Sequence, residues 1–325
     1  MTFNSLAKVL ISSVFAAGAA SAAFPAAADF PEKPITVVVA YTAGGPTDVV
    51  ARVVGQKMGE LLGQSIVIEN KPGAAGVIGT ERALGAKPDG YTLLMATMGN
   101  LSVNPILYPK LKDLKPGVSY EPISQVTTVD FVLVSQPDFP AHTVQEVIEA
   151  AKAKPAQITT ATSGVGGAPY LASMLFQSLA DVELSLVPYK GTADAVNGLL
   201  GGQVSLDFDS VSQVLPFIRD KRLKPIAVLG AERSSLLPDV PTMKEAGLSD
   251  YDLSNWFGLV APSGTPEETL DIIRLALDKA VKDPEVSQKL RNMGLSPVGS
   301  TSAEFLKIIE RDADKWAKIV APAQP

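Results

Sequence analysis

Two glycine-rich turns, one in each half of the chain, hold the residue types best suited to ligand chemistry. Residues 41–48 follow an apolar strand pattern and lead into a helical pattern, and residues 163–170 do the same later in the chain. A strand that turns through glycines into a helix leaves backbone N–H groups unpaired at the positive end of the helix dipole. Such a turn can bind an anion without a cationic side chain.

Catalytic groups are scarce. His142 is the single histidine, in a loop position that resembles a surface helix entry, so neither a histidine metal site nor a Ser/His/Asp site is indicated. The chain has no Gly-x-Ser-x-Gly and no phosphate-loop motif. Asp207 and Asp209 flank Phe208 and point the same way on a strand, but two acids alone are weak evidence. We therefore predict no catalytic residue, no metal site and no cofactor.

A nucleotide-binding fold is the first alternative for the turn at 41–48. The dinucleotide fingerprint needs Gly-x-Gly-x-x-Gly after the first strand, and this turn lacks that spacing. Gly73, Gly76 and Gly79 recur every third residue but follow a different strand. A tight connection without a ligand is the second alternative. Two such turns at the carboxyl ends of strands favour ligand binding, because ligands of open α/β sheets lie there.

Composition limits the class of protein. The 325 residues are 46% hydrophobic and 19% charged, which is enough for two globular domains. The formal net charge is −6 with no basic cluster, so nucleic acid is excluded as a partner. The absence of cysteine excludes disulfides and thiol chemistry. Because the whole chain is acidic, any attraction of an anion must be local.

Residues 1–28 are interpreted as a secretory signal peptide. Lys8 supplies a weak positive region, residues 9–23 are apolar and small, and residues 26–28 offer an Ala-x-Ala cleavage site. A membrane anchor is the alternative, but the run is short for a span. We expect cleavage near Ala28 and export to the periplasm.

The hydrophobic patterns predict an α/β chain with two lobes and two hinge-crossing strands. Residues 100–121 are predicted to be irregular, and residues 123–134 to be extended. We expect lobe 1 at 29–125 with the C-terminal part at about 256–325, lobe 2 at 126–255, and hinge strands near 122–129 and 255–261. Predicted strands are 35–40, 66–69, 91–96, 158–162, 184–187, 204–208, 225–229 and 256–262; predicted helices include 48–62, 193–200, 211–218, one from Pro266, and 302–320.

Seven short motifs give the chain a family resemblance. It resembles the periplasmic substrate-binding receptors of tripartite tricarboxylate transporters, the Bug-type family, and the motifs occur in the expected order over nearly the entire chain after the signal peptide. They are Ala-Gly-Gly-Pro-Thr-Asp at 43–48, Glu-Asn-Lys-Pro-Gly-Ala-Ala-Gly-Val-Ile-Gly at 69–79, Lys-Pro-Asp-Gly-Tyr-Thr-Leu-Leu at 87–94, Val-Pro-Tyr-Lys-Gly at 187–191, Leu-Leu-Gly-Gly-Gln-Val at 199–204, Leu-Pro-Asp-Val-Pro-Thr at 237–242 and Trp-Phe-Gly-Leu-Val-Ala-Pro at 256–262.

The resemblance implies a type II-like Venus flytrap receptor that closes on a carboxylated small molecule. It also implies a monomer that delivers its ligand to inner-membrane transporter subunits. Asp48 beside an anion is unexpected, and we expect it to hold waters or to cap its own helix. The ligand-binding residues implied by the resemblance are Tyr41, Gly44, Gly45, Thr47 and Asp48 on one side, Ser163, Gly164, Gly166, Gly167 and Tyr170 on the other, and Tyr189 and Asp209 as pocket walls.

One departure from the family pattern concerns the second turn. The family commonly has Gly-x-Gly-Ser followed by a histidine, where this chain has Gly167 and Tyr170 with Pro169 between them. We therefore expect a less polar or aromatic-accepting second subsite, suited to an aromatic or monocarboxylic acid more than to a small dicarboxylate or a citrate-like ligand. A ligand sensor for a signalling partner and, less favoured, a secreted hydrolase on the same scaffold are the alternative functions.

Overall fold

The computed structural model describes residues 30–162, 164, 167–189, 191–253 and 255–320. The expected signal peptide lies outside the described residues, as do Ser163 and Gly166 of the second glycine-rich turn. No helix in the described ranges is long and apolar enough to cross a membrane.

The strands and helices alternate through most of the described chain. The strands are β1 (Ile35–Val39), β2 (Ile66–Asn70), β3 (Thr92–Thr97), β4 (Tyr120–Val129), β5 (Phe131–Ser135), β6 (Thr159–Thr162), β7 (Ser185–Pro188), β8 (Leu206–Ser210), β9 (Lys224–Val228), β10 (Asn255–Pro262) and β11 (Leu295–Pro297). The α-helices are α1 (Pro46–Leu62), α2 (Val77–Leu84), α3 (Asn104–Leu107), α4 (Val144–Ala153), α5 (Ala168–Ala180), α6 (Thr192–Leu200), α7 (Val211–Arg219), α8 (Glu267–Lys282), α9 (Pro284–Asn292) and α10 (Ser302–Val320).

Both sheets are built on the same strand order. The first sheet runs β11-β4-β10-β3-β1-β2 and the second runs β7-β6-β8-β5-β9. In each, three parallel strands are followed by one antiparallel strand that arrives from the other sheet, β10 in the first and β5 in the second. The chain therefore crosses between two lobes after β4 and again before β10, which is the predicted α/β two-lobed architecture.

The first crossing follows the predicted hinge strand near 122–129. Residues 123–134 are extended as predicted except at Asp130, which separates β4 from β5, and these two strands belong to different sheets. The residue at which the chain changes sheet was not predicted. An uninterrupted apolar pattern cannot reveal this change, because both strands are buried on both faces.

Helix ends mostly follow their local sequence signals. Gly63 ends α1 with φ of 67°, the left-handed conformation predicted for it. Pro266 precedes α8 instead of lying inside it. The prediction of an irregular 100–121 segment holds for residues 112–119 but was wrong at its start, because a π-helical turn at Gly99–Val103 leads into the short α3. The sequence interpretation also missed α9 and β11.

Trp256 connects the crossing strand β10 to the last helix. Its indole Nε1 donates to Asp312 Oδ2 at 2.8 Å, and its ring meets Phe305 edge-on at 5.0 Å between centroids. Trp256 and Asp312 are both fully buried. The hydrogen bond therefore holds α10 against the first sheet beside the lobe crossing.

Asp312→Ala is expected to lower the free energy of unfolding by about 2–3 kcal/mol, because the buried indole N–H loses its acceptor. Chemical denaturation measures the loss. Asp314→Ala, at an exposed position of the same helix, is the matched control and should change stability by less than about 0.5 kcal/mol. Equal losses for the two variants would contradict this role of Asp312.

Candidate functional site

A cleft of about 420 Å³ lies between the two sheets. Its size falls in the range of small-molecule sites. Both lobes and the crossing strands contribute to it. The lining residues are Tyr41, Thr42, Gly45, Pro46, Thr47, Ala75, Thr97, Met98, Gly99, Val129, Phe131, Gly167, Ala168, Pro169, Leu171, Gly191, Thr192, Asp209, Ser210, Asn255 and Phe257.

The N-terminus of α1 forms the lobe 1 side of this cleft. Gly45 is the N-cap residue, and having no side chain it cannot cap the helix. Pro46 occupies the first helical position, where its missing N–H costs nothing. The next N–H groups, beginning at Thr47, have no partner inside the helix and lie beside the positive end of the dipole. This end of α1 can therefore donate hydrogen bonds to an anion in the cleft.

Three helices of lobe 2 begin at the same cleft. Gly167 precedes α5, Gly191 precedes α6 and Ser210 precedes α7, and none of them provides a side-chain cap. By contrast, α4 and α9, which begin away from the cleft, are capped by Thr143 and Asp283. Helices α2 and α8 also begin without a side-chain cap, so the missing cap alone does not define the site. The site is defined by the convergence of four helix N-termini without side-chain caps on one cavity.

Asp48 lies behind this anion-accepting end and does not line the cleft. Its carboxylate accepts hydrogen bonds from Gly44 N and Arg52 Nε at 2.9 Å and from Asn70 Nδ2 at 3.0 Å. Burial alone would raise the pKa of Asp48, but these hydrogen bonds, with Arg52 the largest, lower it below its ordinary value. Asp48 therefore stays ionised and fixes the turn, and it occupies the N–H of Gly44.

Asp48→Asn is expected to reduce the free energy of unfolding by about 1–2 kcal/mol at pH 7, with the half-exposed Arg52 limiting the effect. Because the folded-state pKa is the lower one, this contribution is present above the unfolded-state pKa of about 4 and is lost as the pH falls through the folded value. Urea titrations at pH 7 and pH 3 measure it, with exposed Asp113→Asn as the control. A difference from wild type that is as large at pH 3 as at pH 7 would contradict the assignment.

Tyr41 places a neutral phenol in the cleft. Its hydroxyl lies 3.0 Å from Thr97 Oγ1, and Asn100 Oδ1 accepts from Thr97 Oγ1 and from Thr97 N. Burial raises the pKa of Tyr41, so the phenol keeps its proton. This network holds the aromatic ring and a hydroxyl at the lobe 1 wall.

Asp209 is the one carboxyl group that lines the cleft among the described residues. Its Oδ1 accepts from Ser210 N at 2.6 Å and from Ser210 Oγ at 3.3 Å, whereas its Oδ2 is buried without a hydrogen-bond partner. Burial raises the pKa of Asp209 to about 7, although the Ser210 hydrogen bonds act in the opposite direction. Asp207 is also fully buried, and its pKa is raised by burial and by the neighbouring Asp209.

The structure brings only some of the expected site residues together. Gly44 donates its N–H to Asp48, and Gly164 and Asp48 are not among the lining residues. Tyr170 is half-buried against the hydrophobic core, and Tyr189 packs over Gly198 with its hydroxyl donating to Gln203. Ser163 and Gly166 lie outside the described residues. Those that line the cleft are Tyr41, Gly45, Thr47, Gly167 and Asp209.

Sequence reasoning missed the third helix entry and the apolar wall. Gly191 and Thr192 repeat the strand–glycine–helix pattern that identified the first two turns, so this signal was present in the sequence. The apolar side chains lie on different elements, and only the fold reveals that they meet. The apolar wall comprises Met98, Val129, Phe131, Leu171 and Phe257.

Comparison with known proteins assigns the family. Residues 50–324 match the Tripartite tricarboxylate transporter family receptor, TctC. The chain belongs to this family. It is 34% identical over 94% of both chains to BugT of Bordetella pertussis. It is similar to MatC of Rhodopseudomonas palustris with bound malate, at 31% identity, a TM-score of 0.78, and coverage of 90% and 100% of the two chains. It also resembles R. palustris Rpa4515 with adipate, at 30% identity, a TM-score of 0.80, and coverage of 90% and 97%.

As a TctC family member, the protein is a periplasmic solute-binding receptor and not an enzyme. Its two lobes form the periplasmic binding protein fold shared with the solved relatives. This agrees with the scarcity of catalytic groups in the sequence.

Proposed function

We propose that this TctC receptor binds a small carboxylate in the cleft between its lobes and delivers it to the membrane components of a tripartite tricarboxylate-type transporter. Export with cleavage near Ala28 would place it in the periplasm. The observation that carries the proposal is the convergence of four helix N-termini, those of α1, α5, α6 and α7, on one cavity without side-chain caps.

The charge of the cleft supports a carboxylate over a phosphate. No Lys or Arg is among the described residues that line the cleft, and phosphate sites usually recruit such side chains. A hydrogen bond to a charged group contributes about 1.5–3 kcal/mol, so four amide donors reach the roughly 8 kcal/mol of a micromolar site. The donors are fixed by the fold, which keeps the ordering cost low.

The apolar wall supports a ligand with a hydrocarbon body. Phe131 and Phe257 line the cleft near the crossing strands, with Met98 and Leu171 beside them. A mono- or dicarboxylate with an aliphatic or aromatic middle fits these surfaces better than the densely polar citrate. The relatives with malate and adipate carry dicarboxylates of this general size. The sequence predicts a subsite near Tyr170 that accepts an aromatic ligand. Because Tyr170 does not line the cleft, Phe131 and Phe257 are the side chains that would contact such a ligand.

Ligand delivery follows from closure of the lobes. A ligand that contacts both α1 and α6 binds the closed state more tightly than the open one, and it shifts the population only by that difference in affinity. The membrane partner would then recognise the closed form.

Isothermal calorimetry on the chain from residue 29 onward tests the proposal. We titrate malate, adipate, benzoate, citrate and inorganic phosphate at pH 7. The proposal expects at least one carboxylate other than citrate to bind with micromolar or tighter affinity, and phosphate to bind far more weakly. Binding of phosphate alone, or of no carboxylate, would overturn it.

A further inference from the structure

We propose that Asp209 acts as a neutral acid that donates a hydrogen bond from lobe 2 to an oxygen of the bound ligand, so that binding takes up one proton. This inference rests on the proposed carboxylate-binding function and adds a specificity-determining residue to it. It predicts a preference for ligands with a second acceptor group, a carboxylate or a carbonyl, opposite the group held by α1.

The position of Asp209 carries the inference. Its side chain is fully buried at the cleft wall, and Oδ2 has no hydrogen-bond partner, while Ser210 holds Oδ1. A buried polar atom without a partner is costly, so a site that leaves one at its wall is completed by a ligand atom. With Oδ1 already accepting from Ser210, a proton on Oδ2 makes this atom a donor.

Burial at the cleft wall raises the pKa of Asp209 to about 7, and a second buried acid lies on the same strand. Asp207 lies two residues away on β8, and the strand β5 places Val134 opposite Asp207 and Val132 opposite Asp209. The two carboxyl groups therefore share one apolar face. Burial and then the neighbouring Asp209 raise the pKa of Asp207, so this face of the strand does not readily hold two charges.

The surrounding elements bring no described cation to Asp209. Strands β5 and β6 carry no titratable side chain. Asp130 precedes β5, and it is an acid whose pKa is itself raised by burial. Lys190, before α6, lies outside the described residues. The other groups to be considered are Tyr170 on α5, Asp194 on α6, Arg219 at the C-terminal end of α7, and Tyr41 across the cleft.

The alternative is an ionised Asp209 that meets an ammonium group of the ligand. The uncapped helix ends on both sides of the cleft favour negative charge, which disfavours a cation. An anionic ligand beside Asp209 also favours its protonated form further. The neutral acid therefore agrees with the other groups in the cleft.

The test is calorimetry on the same chain at pH 6.0, 7.0, 7.8 and 8.5, in two buffers of different ionisation enthalpy at each pH. The probes are malate, adipate, benzoate and glutamate, and the tightest binder is studied with each variant. These carboxylates are almost fully ionised from pH 7.0 upward, so a pH dependence in that part of the range comes from the protein. Proton uptake should rise from near zero at pH 6 to about one at pH 8.5. Over the same range Kd should increase about 30-fold, because Asp209 in the ligand-free protein titrates near pH 7.

Two substitutions distinguish the role of the titratable proton of Asp209 from the role of the size and hydrogen-bonding groups of its side chain. Asp209→Asn keeps a donor, so it should retain affinity at pH 6 within about threefold and lose both the proton uptake and the pH dependence. Asp209→Ala should bind weakly at every pH. Carboxylate binding without proton uptake in the wild type would overturn this inference and leave the receptor function standing. Tighter binding of glutamate as the pH rises, lost in Asp209→Asn, would overturn it by identifying an ionised Asp209. No binding of any probe would overturn both proposals.

Discussion

Replacing Gly45 with valine is expected to weaken carboxylate binding at least 100-fold, about 2.7 kcal/mol, while the protein remains folded. Gly45 lines the cleft as the N-cap residue of α1. Its φ of −75° and ψ of 166° suit a branched residue, and a Cβ atom would lie 3.4 Å from Thr42 O, its closest neighbour. The added methyl groups would then occupy the space in which the carboxylate meets the first N–H groups of α1.

Gly63→Ala is the matched control for this substitution. Gly63 ends the same helix with a positive φ and does not line the cleft, and a Cβ there meets nothing within 4 Å. Alanine should therefore cost about 1 kcal/mol of stability through backbone strain and leave affinity unchanged. Calorimetry and thermal unfolding of both variants separate binding from folding. Unchanged affinity in folded Gly45→Val would exclude the N-terminus of α1 from the site.

Asp207→Asn is expected to make folding stability less dependent on pH between 5 and 8 and to be more stable than the wild type at pH 8. Burial raises the pKa of Asp207 well above the ordinary 3.8, and Asp209 raises it further. Both oxygens of Asp207 are buried without a hydrogen-bond partner among the described residues. An amide of the same shape carries no charge that must be buried at high pH.

The direction in which pH changes the free energy of unfolding follows from proton binding by the folded and unfolded states. With a folded-state pKa above the unfolded value of about 4, the folded protein holds a proton that the unfolded chain has released. This penalty is absent below about pH 4 and grows as the pH rises toward the folded pKa. Urea denaturation of wild type and Asp207→Asn at pH 5, 6, 7 and 8 measures it, with exposed Asp220→Asn as the control. Parallel curves for Asp207→Asn and wild type would contradict a protonated buried acid.

Much of the fold could be predicted because its signals are local. The apolar run of β1 and the stripe of α1 appear as short periodic patterns, and Gly63 marks the helix end by a conformation that other residues adopt at a cost. A hinge strand near 122–129 was predicted, but the exact residue at which the chain changes sheet, Asp130, could not be predicted in this way. It depends on β10 returning between β3 and β4, a pairing over more than 100 residues that leaves no local trace.

The candidate site likewise has features that local sequence signals predict and features that depend on the topology. Gly45 and Gly167 were identifiable because a strand–glycine–helix junction has a physical consequence at its own position. The ring of Tyr170 could not be placed from the sequence, because it lies in the first turn of α5 and packs against the core, although Pro169 and Leu171 on either side of it line the cleft. Phe131 and Phe257 belong to the two crossing strands, so their meeting in the cleft required the topology.

The crystal structure of the protein with the tightest-binding carboxylate of the panel tests the central claim most directly. The account predicts a carboxylate group in the cleft within hydrogen-bond distance of the first N–H groups of α1, a hydrocarbon body against Phe131 and Phe257, and a second ligand oxygen near Asp209 Oδ2. A ligand bound outside the cleft, or one whose carboxylate faces the aromatic wall and meets no helix N-terminus, would contradict it.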